Sequence, residues 1–241
     1  MSGSGMNLAV IPARGGSKRV PRKNVRDLCG RPALAWTVDA AIRSGLFSAV
    51  VVSTDSTEIA EAAKASGAEV PFLREAALAD DLTPSSLVTL DALDRLEREG
   101  RTFERVCQLM PNCPLRTDED IRNGFRVLVD SGAEAALSVC GFGWLNPWWS
   151  MKASADGRLE PVHPEALSKR SQDLPDIVAP TGAAWWATAG ALRMHRTFYA
   201  PDRRGFRIPF VNGLDIDTWE DWHLAEALLA AREGGRGRCT P

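Results

Sequence analysis

The sequence predicts a doubly wound α/β domain, a mostly parallel sheet with helices over both faces. Two observations carry this. Short apolar runs alternate with segments of helical periodicity from residue 8 to residue 139. Chemistry-bearing residues, namely Arg14, Asp55, Arg74 and the turn 111–116, fall just after the apolar runs. That is the edge of an α/β sheet where ligands bind.

Residues 8–11 read Leu-Ala-Val-Ile, a buried strand, and lead into the loop 12–24. Residues 32–44 carry Leu34, Ala35, Val38, Ala41 and Ile42 at helical spacing, with Pro32 suited to the first helical position and Gly45 to the stop. Residues 49–52 form a second buried strand ending in Ser53-Thr54-Asp55, and 57–66 a helix ending at Gly67. A short strand over 69–73 brings Arg74 to its exit, and 87–96 is helical up to Gly100. Residues 105–110 make a strand, Thr117 caps a helix through 130, and 135–139 make another strand.

From Gly141 the pattern changes. Trp144, Trp148 and Trp149 precede a polar stretch without sheet periodicity, which reads as an excursion over about 141–178. Its aromatics either line a site, pack against a partner subunit or fill the core. The chain returns with strands over 183–187 and 210–216 and ends in a helix over 219–232. One domain over 6–232 is expected, with disordered tails at 1–5 and 233–241.

Composition excludes several classes. A net charge of −2 argues against a general nucleic-acid binder. No apolar run reaches the roughly 20 residues of a membrane span. The opening Met-Ser-Gly-Ser-Gly lacks the regions of a signal peptide, so Met6 is read as the natural start and the protein as cytoplasmic. Five cysteines without a C-x-x-C fit reduced thiols better than a disulfide framework or a zinc site.

The loop PARGGSKRVPRKN holds two glycines and the cations Arg14, Lys18, Arg19, Arg22 and Lys23, with no acid. A basic glycine turn after a buried strand suits phosphates, and the glycines permit close approach or φ > 0. It matches neither G-x-x-x-x-G-K-[ST] nor G-x-G-x-x-G, so side-chain cations would do most of the gripping. The competing reading is a solvated basic turn.

Near the end, Leu214-Asp215-Ile216-Asp217-Thr218 is the second informative stretch. On a strand Asp215 and Asp217 would share a face. Two such carboxylates suit Mg²⁺, which keeps one or two of them plus phosphate oxygens. Helix capping by Asp217 or Thr218, with Asp221 three beyond Thr218, accounts for one acid but not two. The letters also match the D-x-D-x-T of haloacid-dehalogenase-like phosphatases, but that pattern belongs near a domain's start and only one helix follows it here. Together, loop and acids suggest a nucleoside triphosphate along Arg14, Lys18 and Lys23, with Mg²⁺ on Asp215 and Asp217. A hydroxyl attacks the α-phosphate and pyrophosphate leaves.

Several stretches resemble the acylneuraminate cytidylyltransferases, the CMP-sialic acid synthetase family with its pseudaminic and legionaminic relatives. They are PARGGSKRVPRKN, VVSTDSTEIAEAAKASGAEVPFLR, PNCPLRT, KRSQDLP, TGAAWW and LDIDTWEDW, spread over about 7–231. The resemblance implies a fold of the nucleotide-diphospho-sugar transferase type, CTP and a sialic-acid-like 2-keto sugar acid as substrates, Mg²⁺, and a homodimer built on the excursion. It implies that Arg14, Gly15, Gly16, Ser17, Lys18, Lys23 and Asn24 hold the triphosphate. Arg74 with Ser85 or Ser86 would hold base and ribose, Arg170, Gln172, Thr181 and Trp185 would face the sugar, and Asp215 and Asp217 would carry the metal.

Two departures bear on specificity. Met110 stands where the family often has a glutamine, and Thr181-Gly-Ala-Ala-Trp185 replaces N-G-A-[IL]-Y. A methionine lacks the amide's donor, and the indole is wider. Both point to a sugar acid other than N-acetylneuraminic acid. The alternatives are a nucleotide-binding homologue without catalysis and a sugar-nucleotide-dependent glycosyltransferase on a related fold.

Overall fold

Every residue of the first strand, β1 (Asn7–Pro12), is buried. Leu8 and Val10 enter one apolar core while Ala9 and Ile11 enter another, as a strand covered on both faces requires. The computed structural model describes residues 6–75, 78 and 82–232. The expected tails at 1–5 and 233–241 lie outside the described residues.

After β1 come the two-residue strands β2 (Asp27–Leu28) and β3 (Arg31–Pro32), then α1 (Ala33–Ser44), β4 (Ala49–Ser53), α2 (Thr57–Ala65), α3 (Ser85–Arg98) and β5 (Arg105–Gln108). The chain continues through α4 (Asp118–Ser131), β6 (Ala135–Cys140), β7 (Met151–Ala153), β8 (Leu159–Pro161), β9 (Ala179–Thr188), α5 (Ala189–His195), β10 (Arg203–Arg207) and α6 (Trp219–Arg232). The main sheet has the order β10-β6-β9-β5-β1-β4. β1 pairs in parallel with β4 and β5, and β10 with β6, but β9 is antiparallel to both neighbours. Residues of α1, α2 and α4 fill the core on one face, and residues of α3 and α5 the other.

Local chemistry explains the ends. Thr117 caps α4 in a reciprocal capping box with Asp120. Gly45 ends α1 at φ 67°, the left-handed region that glycine enters without strain. Pro32 precedes α1 as its N-cap rather than opening it. Gly124 lets α4 lie against the sheet, because a Cβ there would fall 2.5 Å from the Phe206 ring and 2.8 Å from Trp186.

Four expectations are corrected. Residues 69–73 make only two isolated parallel bridges, Val51 to Glu69 and Thr54 to Leu73, with Pro71 between them unable to donate to a ladder. Residues 210–216 are not a strand: Phe210–Gly213 is a 3-10 turn followed by irregular chain, and the edge strand is β10 instead. Its Arg-Arg-Gly-Phe-Arg carries only Phe206 into the core, so no apolar run marks it. The excursion does contain paired strands, the small hairpin β7–β8. Cys107, Cys113 and Cys140 are buried free thiols, but Cys29 is disulfide-bonded. Spacing along the chain carries no information on which Cα atoms approach within bridging distance.

A third apolar cluster matters most for function. It joins Val20 of the basic loop, Leu115 of the turn after β5, Ile216 between the two acids, and Trp222, Ala225 and Leu229 of α6. Burial of these side chains, at about 25 cal/mol per Å², gathers three distant stretches at one place.

Candidate active site

β1, β4 and β5 run in parallel and end at the same sheet edge, where the loop after β1 begins. Ala13 N–H donates to the Ser53 carbonyl at 3.0 Å, and Gly15 N–H to Asp55 Oδ1 at 2.9 Å. A Cβ on Gly15 would lie 3.3 Å from Ser56, so close approach is what this glycine provides. Neither Gly15 nor Gly16 has positive φ; in the loop that conformation falls to Arg22, at 56°. Gly16 faces open space. Asn24 is buried and its Nδ2 donates to the Arg14 carbonyl at 3.0 Å, which bends the loop back on itself.

Lys23 reaches across to the acidic stretch. Its Nζ donates to the Ile216 carbonyl and lies 3.4 Å from Asp217 Oδ1. Arg19 pairs with Asp217 Oδ2 at 2.8 Å. The loop and the acids thus meet although Lys23 and Asp217 are 194 residues apart. Between them is a crevice of about 380 Å³, lined by Arg14, Ser17, Lys18, Lys23, Asn24 and Asp217 and floored by Met110, Pro111 and Asn112.

The acids converge without being on a strand. Ile216 is fully buried, Asp217 lines the crevice, and Asp215 lies close enough to Asp217 for the two carboxylates to repel. The capping alternative holds for Thr218 and Asp221: Asp221 Oδ2 accepts from the N–H groups of Asp217 at 3.0 Å and Thr218 at 2.8 Å, and Asp221 N–H donates to Thr218 Oγ1 at 3.3 Å. Neither Asp215 nor Asp217 is used as the cap.

The electrostatics are unequal. Burial of the Asp215 carboxyl, then repulsion from Asp217, pushes it up to about 6, against the pull of Lys23 and Asn112. The residue as a whole keeps solvent-exposed surface, so the crowding is around the carboxyl end, where Asn112 Nδ2 donates to Oδ1. Beneath the loop, burial lowers the Arg74 guanidinium and Asp55, 3.6 Å away, partly restores it. Cys113 is an inert thiol, pushed up to about 12 by burial and then by Asp215.

Two carboxylates and no third ligand form the acidic donor set; among the described residues no cluster of three or more metal-type side chains occurs. That set fits Mg²⁺, which takes one or two carboxylates and completes its shell with phosphate oxygens and water. It does not fit a structural zinc site, which needs four protein ligands.

The other expected residues fall elsewhere. Ser85 and Ser86 open α3 outside the crevice; Ser86 is buried, and Ser85 Oγ accepts from Gln108 Nε2 at 3.0 Å. Thr89 Oγ1 donates to Gln108 Oε1 at 2.8 Å, and Gln108 Nε2 lies 3.7 Å from the Met110 sulfur, which links α3 to the crevice floor. Arg170 is exposed and paired with Asp173 at 2.8 Å. Gln172 lines a second hollow, of about 490 Å³, among Trp144, Trp148 and Trp149.

Thr181 and Trp185 line neither of these two hollows. Thr181 is buried against Ser138, with Oγ1 to Oγ 2.8 Å. Trp185 donates to the Thr181 carbonyl at 2.5 Å and packs on Phe198 and Tyr199. The physical reason is β9 itself, a central strand whose side chains are committed to the sheet faces. Asn112 is the contributor that sequence reasoning passed over, and Arg19, named there as a loop cation, was not expected to pair with Asp217. Both sit inside the motifs already singled out, and a polar side chain between two prolines is the signal that could have flagged Asn112.

The family model described as cytidylyltransferase matches residues 8–156. A pseudaminic acid cytidylyltransferase of Campylobacter jejuni is 30% identical over 222 residues, 92% of this chain and 95% of that protein. A CMP-N,N'-diacetyllegionaminic acid synthase of Legionella pneumophila is 36% identical over 229 residues, with the same two coverages of 92% and 95%. Among solved structures, a CMP:2-keto-3-deoxy-manno-octonic acid synthetase complexed with CTP superposes with a TM-score of 0.70 at 16% identity, over 94% of this chain and 99% of that one. At that identity the likeness speaks for the fold.

Proposed function

This chain belongs to the cytidylyltransferase family and is a cytidylyltransferase; from that premise we propose how its crevice carries out the reaction. The substrates are CTP and a sialic-acid-like nonulosonic acid, and the products are the CMP-sugar and pyrophosphate. One observation supports the mechanism above all others: Lys23 and Arg19 of the basic loop contact Asp217 across the crevice.

The triphosphate lies along Arg14, Lys18 and Lys23, with Asn24 holding the loop through the Arg14 carbonyl. Asp215 and Asp217 are the residues that would hold Mg²⁺, and the charge it would supply there is that of a Lewis acid beside the triphosphate. The sugar hydroxyl attacks the α-phosphorus in line; the bond to the β-phosphate oxygen breaks, and the lysines offset the charge that accumulates on the departing pyrophosphate. With the chain's cations preplaced, most of the rate enhancement is positioning and charge neutralisation.

The excursion supports a homodimer, since Trp144 at 82% and Leu145 at 69% exposed are neighbours in sequence and Trp149 is exposed beside them. No helix among the described residues is long and apolar enough to cross a membrane. A substrate drawn from the cell's nucleotide pool supports a cytoplasmic location. The Met110 substitution supports a pseudaminic- or legionaminic-type acceptor.

The test is pyrophosphate release from CTP and Mg²⁺ with a panel of 2-keto sugar acids, alongside ATP, GTP and UTP. Turnover with CTP and one nonulosonic acid is expected. Release of pyrophosphate with none of the acids, while CTP still raises the melting temperature, would establish a nucleotide-binding protein without this catalysis.

A further inference from the structure

After β5 the chain turns through Pro111-Asn112-Cys113, and Asn112 ties that turn to the acidic stretch. Ile216 N–H donates to the Asn112 carbonyl at 2.9 Å. The side-chain Nδ2 donates to the Ile216 carbonyl at 3.3 Å and to Oδ1 of Asp215. Both partners of Nδ2 are acceptors, so the amide can face them only with its nitrogen.

The scaffold does not need this amide. The backbone bond between Ile216 and Asn112 already joins the two segments, and Ile216 is anchored in the third apolar cluster. Asn112 is 8% exposed, and its Oδ1 finds no hydrogen-bond partner among the described residues. A buried acceptor without a partner is a standing cost. A crevice-lining residue held there at that cost, with its nitrogen on the Asp215 carboxylate, is explained by what the nitrogen does.

We propose that Asn112 is a positioning residue for the acid pair: by holding Oδ1 of Asp215 it sets the direction in which Oδ2 is presented to a divalent cation. The inference rests on reading Asp215 and Asp217 as the cation-binding carboxylates. A hydrogen bond that stops a ligating carboxylate from rotating removes an ordering cost from metal binding, and loss of such outer partners commonly weakens affinity 10- to 100-fold.

The experiment compares Asn112→Thr with Asn112→Val. The two replacements have the same shape, so any packing loss is common to both, and they differ in one hydroxyl that can donate to Asp215. Binding of Mn²⁺ alone, followed by the electron paramagnetic resonance of the free ion, needs no turnover. Affinity is expected to fall about tenfold in Asn112→Val and to stay within about threefold of the native protein in Asn112→Thr. Equal affinities in the two variants, or native affinity in Asn112→Val, would overturn the proposal. Asp215→Asn in the same titration tells the two failures apart. Native Mn²⁺ affinity in that variant overturns the acid-pair reading itself. Lost affinity there, with valine and threonine indistinguishable, overturns the role of Asn112 alone.

Discussion

Around the crevice, polar groups from three stretches of chain are tied to one another: Asn24 to the Arg14 carbonyl, Lys23 to Asp217, and Asn112 to Asp215. A dedicated apolar cluster lies beneath them. The excursion over 141–178 is held differently. Indole N–H groups of Trp148 and Trp149 donate to the carbonyls of Pro175 at 2.8 Å and Ala166 at 3.3 Å, and Trp144 touches the Phe210 ring edge-on at 5.7 Å while most of it stays in solvent. One region spends its aromatics and aliphatics underneath and presents charge. The other presents the aromatics. The first arrangement is a site for an anionic ligand, and the second is a surface that gains by being covered.

The largest effect expected from this contrast is in the crevice. Asp217→Asn and Lys23→Ala should each lower pyrophosphate release by about a thousandfold, with circular dichroism and melting little changed, because both groups act on charge that develops during the reaction. Native turnover in both variants would break the comparison at its strongest point.

The pH dependence comes next. Asp215 must be ionised to hold a cation, and with its metal-free carboxyl raised to about 6, Mg²⁺ held well below saturation should lose affinity, and the rate with it, as pH drops below that value. The stability sign is opposite to that of an ordinary aspartate. A raised carboxyl means the folded state binds its proton more tightly, so the contribution is fully present below the unfolded value of about 3.9 and is lost as pH rises through about 6. Asp215→Asn should therefore melt about 2 °C higher than the native protein at pH 8, and show little gain at pH 4. A lower melting temperature at pH 8 would remove the claim that its charge is held at a cost.

On the excursion, Trp144→Asp should weaken self-association about tenfold by light scattering and leave the melting of the folded subunit nearly unchanged. An unaltered dimer would send the search for the interface elsewhere. The smallest effect belongs to the cap of α6. Thr218→Ala removes one side of the Thr218–Asp221 exchange and should cost about 1 kcal/mol in denaturant unfolding, with activity largely kept. If that variant abolished catalysis at native stability, the cap would be part of the crevice and the division between scaffold and site would need redrawing.

Much of this was legible along the chain because the signals are local. The apolar runs of β1, β4 and β6, the capping threonine of α4 and the extent of α6 follow from residues within one turn or one strand of each other. The misread parts lack such a signal. β10 has arginine at three of its five positions, residues 69–73 are broken by a proline, and the hairpin β7–β8 is too exposed for its pattern to alternate. The packing of Thr181 against Ser138 and of Trp185 on Phe198, both on a central antiparallel strand, has no local signal either.

The sequence by itself determined the fold class, the cationic loop and the presence of two acids near the end, since each is a property of residue types in short order. Only the tertiary structure decided that Asp215 and Asp217 converge without a strand, that Asn112 holds one and Lys23 and Arg19 the other, and that Gln108 links Ser85 to Met110 on the crevice floor. Those arrangements depend on burying Val20, Leu115 and Ile216 against α6. Hydrophobic burial is non-directional and independent of separation along the chain, so no local pattern announces which distant segments it will bring together.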